Sequence, residues 1–275
     1  MATTTRKRKK TTSKTKRKKA KKKNTVRDNK RITVAVAVSV ILLAALVSVL
    51  LFIRGSAPKG KIELSREVAE GIDVSSHNGK INWNKVSENT DFAFIRVGCR
   101  GYTQGEISKD SRADYNLKHA NRNGVPVGVY FYSQAVNEKE AEEEAEFLIE
   151  SIKNYNVSLP VVIDFEYPTK SGKHTGRTFE AGLSKKERTV LINAFCDRVR
   201  TAGYTPGVYA SSYIYKSELI MKSIPKDVFI WVADYNESVT YNGFYDIWQY
   251  SEKGSCKGVS SKYVDKNYFY TKKRL

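Results

Sequence analysis

Beyond residue 68 the chain alternates between short β-rich runs and amphipathic segments, and this alternation restricts its fold more than any other feature. Runs rich in Val, Ile, Phe and Tyr fall at 72–75, 92–97, 127–132, 161–165, 207–210, 229–233, 246–250 and near 263–268. Segments with helical spacing occupy 82–89, 111–122, 138–153, 184–202 and 212–222, so helices follow only the first five runs. Strands alternating with helices build a parallel sheet with the helices outside. Eight strands with five helices predict an α/β fold, an incomplete TIM-like barrel, whose functional side chains gather at the C-terminal ends of the strands. The fourth helix is the clearest: Ser184 and Glu187 have capping-box spacing, Leu191, Phe195, Val199 and Ala202 give an apolar face, and Gly203 ends it. The third places Ala141, Ala145, Leu148 and Ile152 on one stripe, and its glutamates read as a solvated face.

What precedes this domain is of another kind. Residues 1–31 hold 16 of the 48 Lys and Arg against a single acid, Asp28, so +15 of the net +19 lies there and +4 in the rest. So polar a stretch cannot offset its conformational entropy and is expected to be disordered. Residues 32–53, ITVAVAVSVILLAALVSVLLFI, carry no charge. As a helix they reach about 33 Å, enough to cross a bilayer core, and they outrun the apolar stretch of a cleaved signal peptide. Positive charge is retained on the cytoplasmic side. The expected organisation is therefore a basic cytoplasmic tail (1–31), one transmembrane helix (32–53), a linker (54–68) and an extracellular domain (69–275), a single-pass protein of the cell membrane. On that topology the basic tail is a topogenic signal, and no nucleic-acid partner is expected. Cys99, Cys196 and Cys256 form no C-x-x-C pair and are read as small buried apolar residues.

Four acids stand out by position. Asp73 lies in the first run, Asp164 and Glu166 end the fourth (V-V-I-D-F-E), and Asp265 lies in the last. Residues two apart on a strand share a face, about 6.5–7 Å between Cα atoms. Clustering carboxylates in a barrel mouth raises their pKa values and so invites a functional explanation. Cleavage of a glycosidic bond supplies one, because it needs a protonated acid and a carboxylate together. Solvated loop charge and a magnesium or calcium site are the alternatives for the bare motif. The histidines, His77, His119 and His174, have no metal-ligand spacing, and His119 falls in a helix as a structural residue. There is no G-x-S-x-G, P-loop or G-x-G-x-x-G, which removes support for acyl transfer, phosphate and dinucleotide chemistry.

Read together, G-I-D-V-S-S-H-N-G with I-N-W, F-A-F-I-R-V-G, V-P-V-G-V-Y-F-Y-S-Q-A, L-P-V-V-I-D-F-E, A-G-Y-T-P-G-V-Y-A, I-W-V-A-D-Y, Y-D-I-W-Q-Y-S and V-D-K-N-Y-F resemble, in order, the strands of glycoside hydrolase family 25 lysozymes over residues 69–270. The resemblance implies a (β/α)5(β)3 barrel that cleaves the β-1,4 bond after N-acetylmuramic acid in peptidoglycan. It implies Glu166 as general acid, Asp164 as the partner that orients or stabilises the substrate's 2-acetamido group, and Asp73 and Asp265 in the same site. Tyr130, Tyr132, Trp231 and Trp248 fall at cleft positions, where they stack on sugar or stay in the core, and Arg96 is placed to pair with the carboxylates. The implied partner is the peptidoglycan glycan strand, with no cofactor, no metal and a monomeric enzyme. An inactive cell-wall carbohydrate-binding protein and a chitinase-like barrel are the competing readings. Two departures from the family pattern are evident. Cys99-Arg100 replaces a Glu-containing stretch, and a long, polar, basic insertion at 169–180 is expected to shape the groove for an acidic glycan or a peptide stem.

Overall fold

Each of the eight β-rich runs forms a strand in the computed structural model, which describes residues 64–271. They are β1 (Val68–Val74), β2 (Phe92–Arg100), β4 (Val127–Tyr132), β5 (Val161–Asp164), β8 (Pro206–Ser211), β9 (Phe229–Ala233), β10 (Ile247–Gly254) and β11 (Val264–Tyr270). A short β3 (Ile107–Lys109) folds back on β2, and the insertion forms a hairpin of β6 (Thr169–Lys170) and β7 (Lys173–His174). Pairing runs β1-β2-β4-β5-β8-β9-β10-β11 and returns to β1, so the sheet closes. Along this circuit β1, β2, β4, β5, β8, β9 and β10 pair in parallel, but β11 runs antiparallel to both β10 and β1. The expectation of a wholly parallel sheet fails at this strand. Only residues 255–263 join β10 to β11, too short for a parallel crossover. The reversal puts the first residues of β11 at the barrel end where the other strands finish.

The helices are α1 (Trp83–Ser87), α2 (Ala113–Arg122), α3 (Glu138–Ile152), α4 (Arg177–Glu180), α5 (Lys185–Thr201) and α6 (Ser212–Ser217). They follow the first five barrel strands, and β9, β10 and β11 are joined by loops. Helix α5 begins with the predicted capping box: Glu187 N–H donates to Ser184 Oγ (3.3 Å) and Ser184 N–H to Glu187 Oε2 (2.7 Å). The helix expected over 212–222 is interrupted. The Ile220 N–H donates to the Thr189 hydroxyl (2.9 Å) instead of continuing the ladder, and a separate 3-10 turn follows at Met221–Ser223. Helix α3 corrects a second expectation, since Glu144 is buried and receives Arg100 Nε at 2.8 Å. Of the cysteines, all free, only Cys196 is buried; Cys99 and Cys256 are partly exposed, against the expectation for all three.

Two apolar clusters result. One lies between barrel and helices, with Ile95, Phe131, Leu148, Phe195 and Val208 among its members. The other fills the barrel, where Phe269, Phe92, Phe94 and Trp231 stack in sequence at 5.7, 6.0 and 4.5 Å between ring centroids. Gly128 is dictated by this column, because a Cβ there would meet the Phe94 ring at 2.2 Å. The basic tail, the 32–53 run and the linker up to residue 63 lie outside the described residues, and β1 already begins at Val68. Among the described residues no helix is long and apolar enough to cross a membrane.

Candidate active site

The mouth of the barrel opens into a cavity of about 810 Å³. Strand register brings the four acids to it. Asp73 and Asp265 face each other across the β1–β11 pair, although 192 positions separate them. Asp164 ends β5, opposite Tyr132 on β4 and Tyr209 on β8, and Glu166 follows two residues on. All four line the cavity, with Arg96, Tyr130, Tyr132 and Trp231.

Trp248 does not. It lies between Ile247, which packs in the barrel interior, and Gln249, which lines the cavity, so the two-residue period of β10 turns its ring outward. There its indole N–H donates to the Asp234 carbonyl (2.7 Å) and it packs on Tyr250 and Tyr268. Trp231 is only 2% exposed and forms the cavity floor, not an open stacking platform. Arg96 is at the site, but its ion-pair partner is Asp110 (2.9 Å), with Ser76 Oγ at 3.2 Å, and not one of the four acids. Asp110 is held for that role by the Ser76 and Arg112 N–H groups (3.0 and 2.8 Å). A bulge after Arg96 shifts the register of β2, so Cys99 lies opposite Tyr132 and lines the cavity.

The electrostatics separate the acids into roles. Burial pushes Glu166 up to about 7, and the nearby Asp73 charge adds to the effect while Arg96 opposes it. Burial, then the Glu166 and Asp73 charges, hold Asp164 well above the usual carboxylate range. Burial and the Asp73 charge push Asp265 up to about 8, and its proton is donated to Asp73. Asp73 is also raised by burial, but two amides favour its ionised form: Asn267 Nδ2 and Gln249 Nε2 donate to Asp73 Oδ2 at 2.8 and 2.9 Å. Both amides are oriented from behind. The Trp231 indole, which can only donate, reaches Asn267 Oδ1 (2.9 Å), and the Tyr209 and Tyr235 hydroxyls donate to Gln249 Oε1 (2.8 and 2.6 Å). Among the described residues no group donates to Asp164 Oδ1, although it is buried. An acceptor left so in the protein alone is costly, and a ligand N–H would satisfy it.

A carboxyl that keeps its proton to about 7, beside an Asp73 whose charged form two amides favour, at the head of a cleft, is the equipment for protonating a leaving oxygen near a cation-like centre. Among the described residues no three His, Cys, Asp or Glu side chains are arranged to hold a metal ion. Sequence reasoning missed Gln249, Asn267 and Tyr209, and the rim aromatics Tyr102, Tyr235 and Tyr263, which are 58, 50 and 44% exposed. Period-two reading from Ile247 marks Gln249 as inward; nothing in the pattern marks loop tyrosines.

Comparison with known proteins points the same way. The family described as glycosyl hydrolases family 25 matches residues 72–259. The autolytic lysozyme of Clostridium acetobutylicum is 27% identical over 197 residues, covering 70% of this chain and 53% of that protein. Lysozyme M1 of Streptomyces globisporus is 29% identical, covering 73% of this chain and 67% of its own. The modular autolysin LytC of Streptococcus pneumoniae, solved with a synthetic peptidoglycan ligand, is 31% identical with a TM-score of 0.63, over 74% of this chain and 47% of that one. The chain thus spans about half the length of the first of these relatives.

Proposed function

The chain belongs to family 25 of the glycosyl hydrolases, and from that premise we propose that it is a lysozyme of the muramidase type. It cleaves the β-1,4 bond between N-acetylmuramic acid and N-acetylglucosamine in peptidoglycan. The observation that carries the reading is the pairing of Glu166, held protonated to about 7, with a buried Asp164 whose Oδ1 lacks a donor. Glu166 gives its proton to the glycosidic oxygen as the C–O bond breaks. Asp164 accepts the N–H of the substrate's 2-acetamido group at Oδ1, orienting its carbonyl oxygen toward the anomeric carbon. The charge on Asp73, which Gln249 and Asn267 favour against the effect of burial, helps keep the proton on Glu166 until the leaving oxygen takes it. Tyr130 and Tyr132 flank the sugar. A water molecule then bonds through its oxygen to the anomeric carbon and gives a proton to the Glu166 carboxylate, which restores the acid.

The domain acts at the cell surface, monomeric, on glycan strands, tethered by the charge-free run 32–53 with the basic tail in the cytoplasm. The length and composition of that run support the tether. The experiment is Glu166→Gln, which keeps shape but has no carboxyl proton to give. Turnover on soluble peptidoglycan fragments should fall roughly 10²–10⁴-fold with binding retained. Near wild-type cleavage by this variant would remove Glu166 from the role.

A further inference from the structure

A second cavity, of about 610 Å³, adjoins the first. Tyr102 and Pro168 line both. One wall is the tip of the β2–β3 hairpin, with Tyr102 and Thr103. The other is the 169–180 insertion, with Thr169, Lys170 and Thr175.

Both walls are fastened to the first turns of α3. Arg100, at the root of the β2–β3 tip, donates to Gly105 O (2.8 Å), Glu144 Oε1 (2.8 Å) and Glu140 O (3.0 Å). Arg177 of the insertion grips the Glu140 carboxylate with two bonds (2.8 and 3.0 Å) and donates to Gln134 O (3.0 Å). Its guanidinium lies flat on Gly105, where a Cβ would meet Cζ at 2.6 Å. The cleft is therefore built before any ligand arrives, which lowers the cost of binding.

Its lining holds one lysine, Lys170, and one acid, Glu180, and Lys173 adds a second positive charge beside Lys170 at the edge of the cleft. Lys170 and Lys173 are opposite residues of the β6–β7 hairpin, exposed, and without a carboxylate partner among the described residues. Like charges directly opposite on paired strands destabilise the pair, and an anion between them reverses the sign. Glu180, which lines the cleft, keeps its charge but turns Oε1 to Thr175 Oγ1 (3.0 Å) and the Gly176 N–H (3.3 Å), so the two lysines exceed it by one positive charge. In peptide-bearing strands the lactyl carboxyl of N-acetylmuramic acid is tied up as the amide to the peptide, so the sugars themselves bring no charge to these lysines. The branch that does is the peptide on the glycan, with its free carboxylates.

We propose that this cleft is a subsite for the acidic peptide branch of the substrate, with Lys170 and Lys173 receiving its carboxylates while the glycan occupies the main cavity. The proposal rests on the muramidase reading above. The test uses the full-length protein in detergent and two soluble substrates: glycan chains with their peptides, and the same chains stripped of peptide by an amidase, with the freed lactyl carboxyls then capped as neutral amides. Wild type should favour the peptide-bearing chains, and added salt should shrink the preference. Lys170→Ala with Lys173→Ala should raise KM on peptide-bearing chains about fivefold, the scale of two exposed ion pairs. Lys170→Glu should raise it further, and both variants should treat stripped chains as wild type does, which also reports that they fold. Equal effects on both substrates would make the cleft a glycan subsite, and no effect on either would leave the lysines without this role; each result overturns the proposal. Tight binding of a phosphate-bearing wall polymer at these lysines, with no peptide preference, would overturn it too. If wild type cuts neither substrate, the muramidase reading itself falls.

Discussion

Gln249→Met removes one of two amide donors to Asp73 while keeping side-chain length and volume. A hydrogen bond to a charged group contributes about 1.5–3 kcal/mol, and about 1.36 kcal/mol is a tenfold change in proton affinity. The variant therefore raises the proton affinity of Asp73 about tenfold or more, and the proton it shares with Asp265 moves toward it. That weakens the charge that, after burial, raises Glu166 to about 7. Burial is the larger cause, so the alkaline limb of kcat/KM against pH should fall by less than about one unit, with the acid lost earlier as pH rises. The assay is kcat/KM on soluble peptidoglycan fragments between pH 4 and 9, alongside Tyr235→Phe. That second variant removes only a hydroxyl behind Gln249 and should move the limb less. If Gln249→Met lowers the rate but leaves the limb where it is, the amide serves packing alone and the electrostatic argument is wrong.

Asp265 is held protonated to about 8 in the fold by burial and the Asp73 charge, but ionises near 4 when unfolded. Its contribution to stability is thus present below the unfolded value and lost as pH rises to about 8. Asp265→Asn, which can still donate to Asp73, should lose less melting temperature than wild type between pH 5 and pH 9; an equal loss would contradict this. Full-length protein should remain with membranes after high-salt washing, and its C-terminal domain should be cut by protease added outside intact cells. A soluble form starting near residue 57 would make the 32–53 run a signal peptide.

Much of the barrel is legible in the sequence because its strands are short apolar runs and its helices carry periodic faces and caps. The four acids are legible too, since carboxylates closing such runs need a reason. Closure is harder to see. The Asp73–Asp265 pair depends on the reversal of β11, which follows from loop length and from the missing crossover helix. Residue type places Trp248 at a cleft position, on sugar or in the core, but the period set by Ile247 and Gln249 turns it away from the cavity and it packs against the core outside the barrel. Arg96, on a barrel strand, is expected to pair with the site carboxylates, whereas the fold supplies Asp110 from beyond β3. Glu144 looked like one of many solvated glutamates until Arg100 came over the helix to meet it. For Trp248 the local period decides, whereas for Arg96 and Glu144 a partner on another element decides, and local pattern carries no record of it.

The central claim is the bond that is cut. Purified peptidoglycan digested with the full-length protein, its products reduced and analysed by mass spectrometry, should carry new reducing ends on N-acetylmuramic acid. New ends on N-acetylglucosamine, or no new ends at all, would contradict the account.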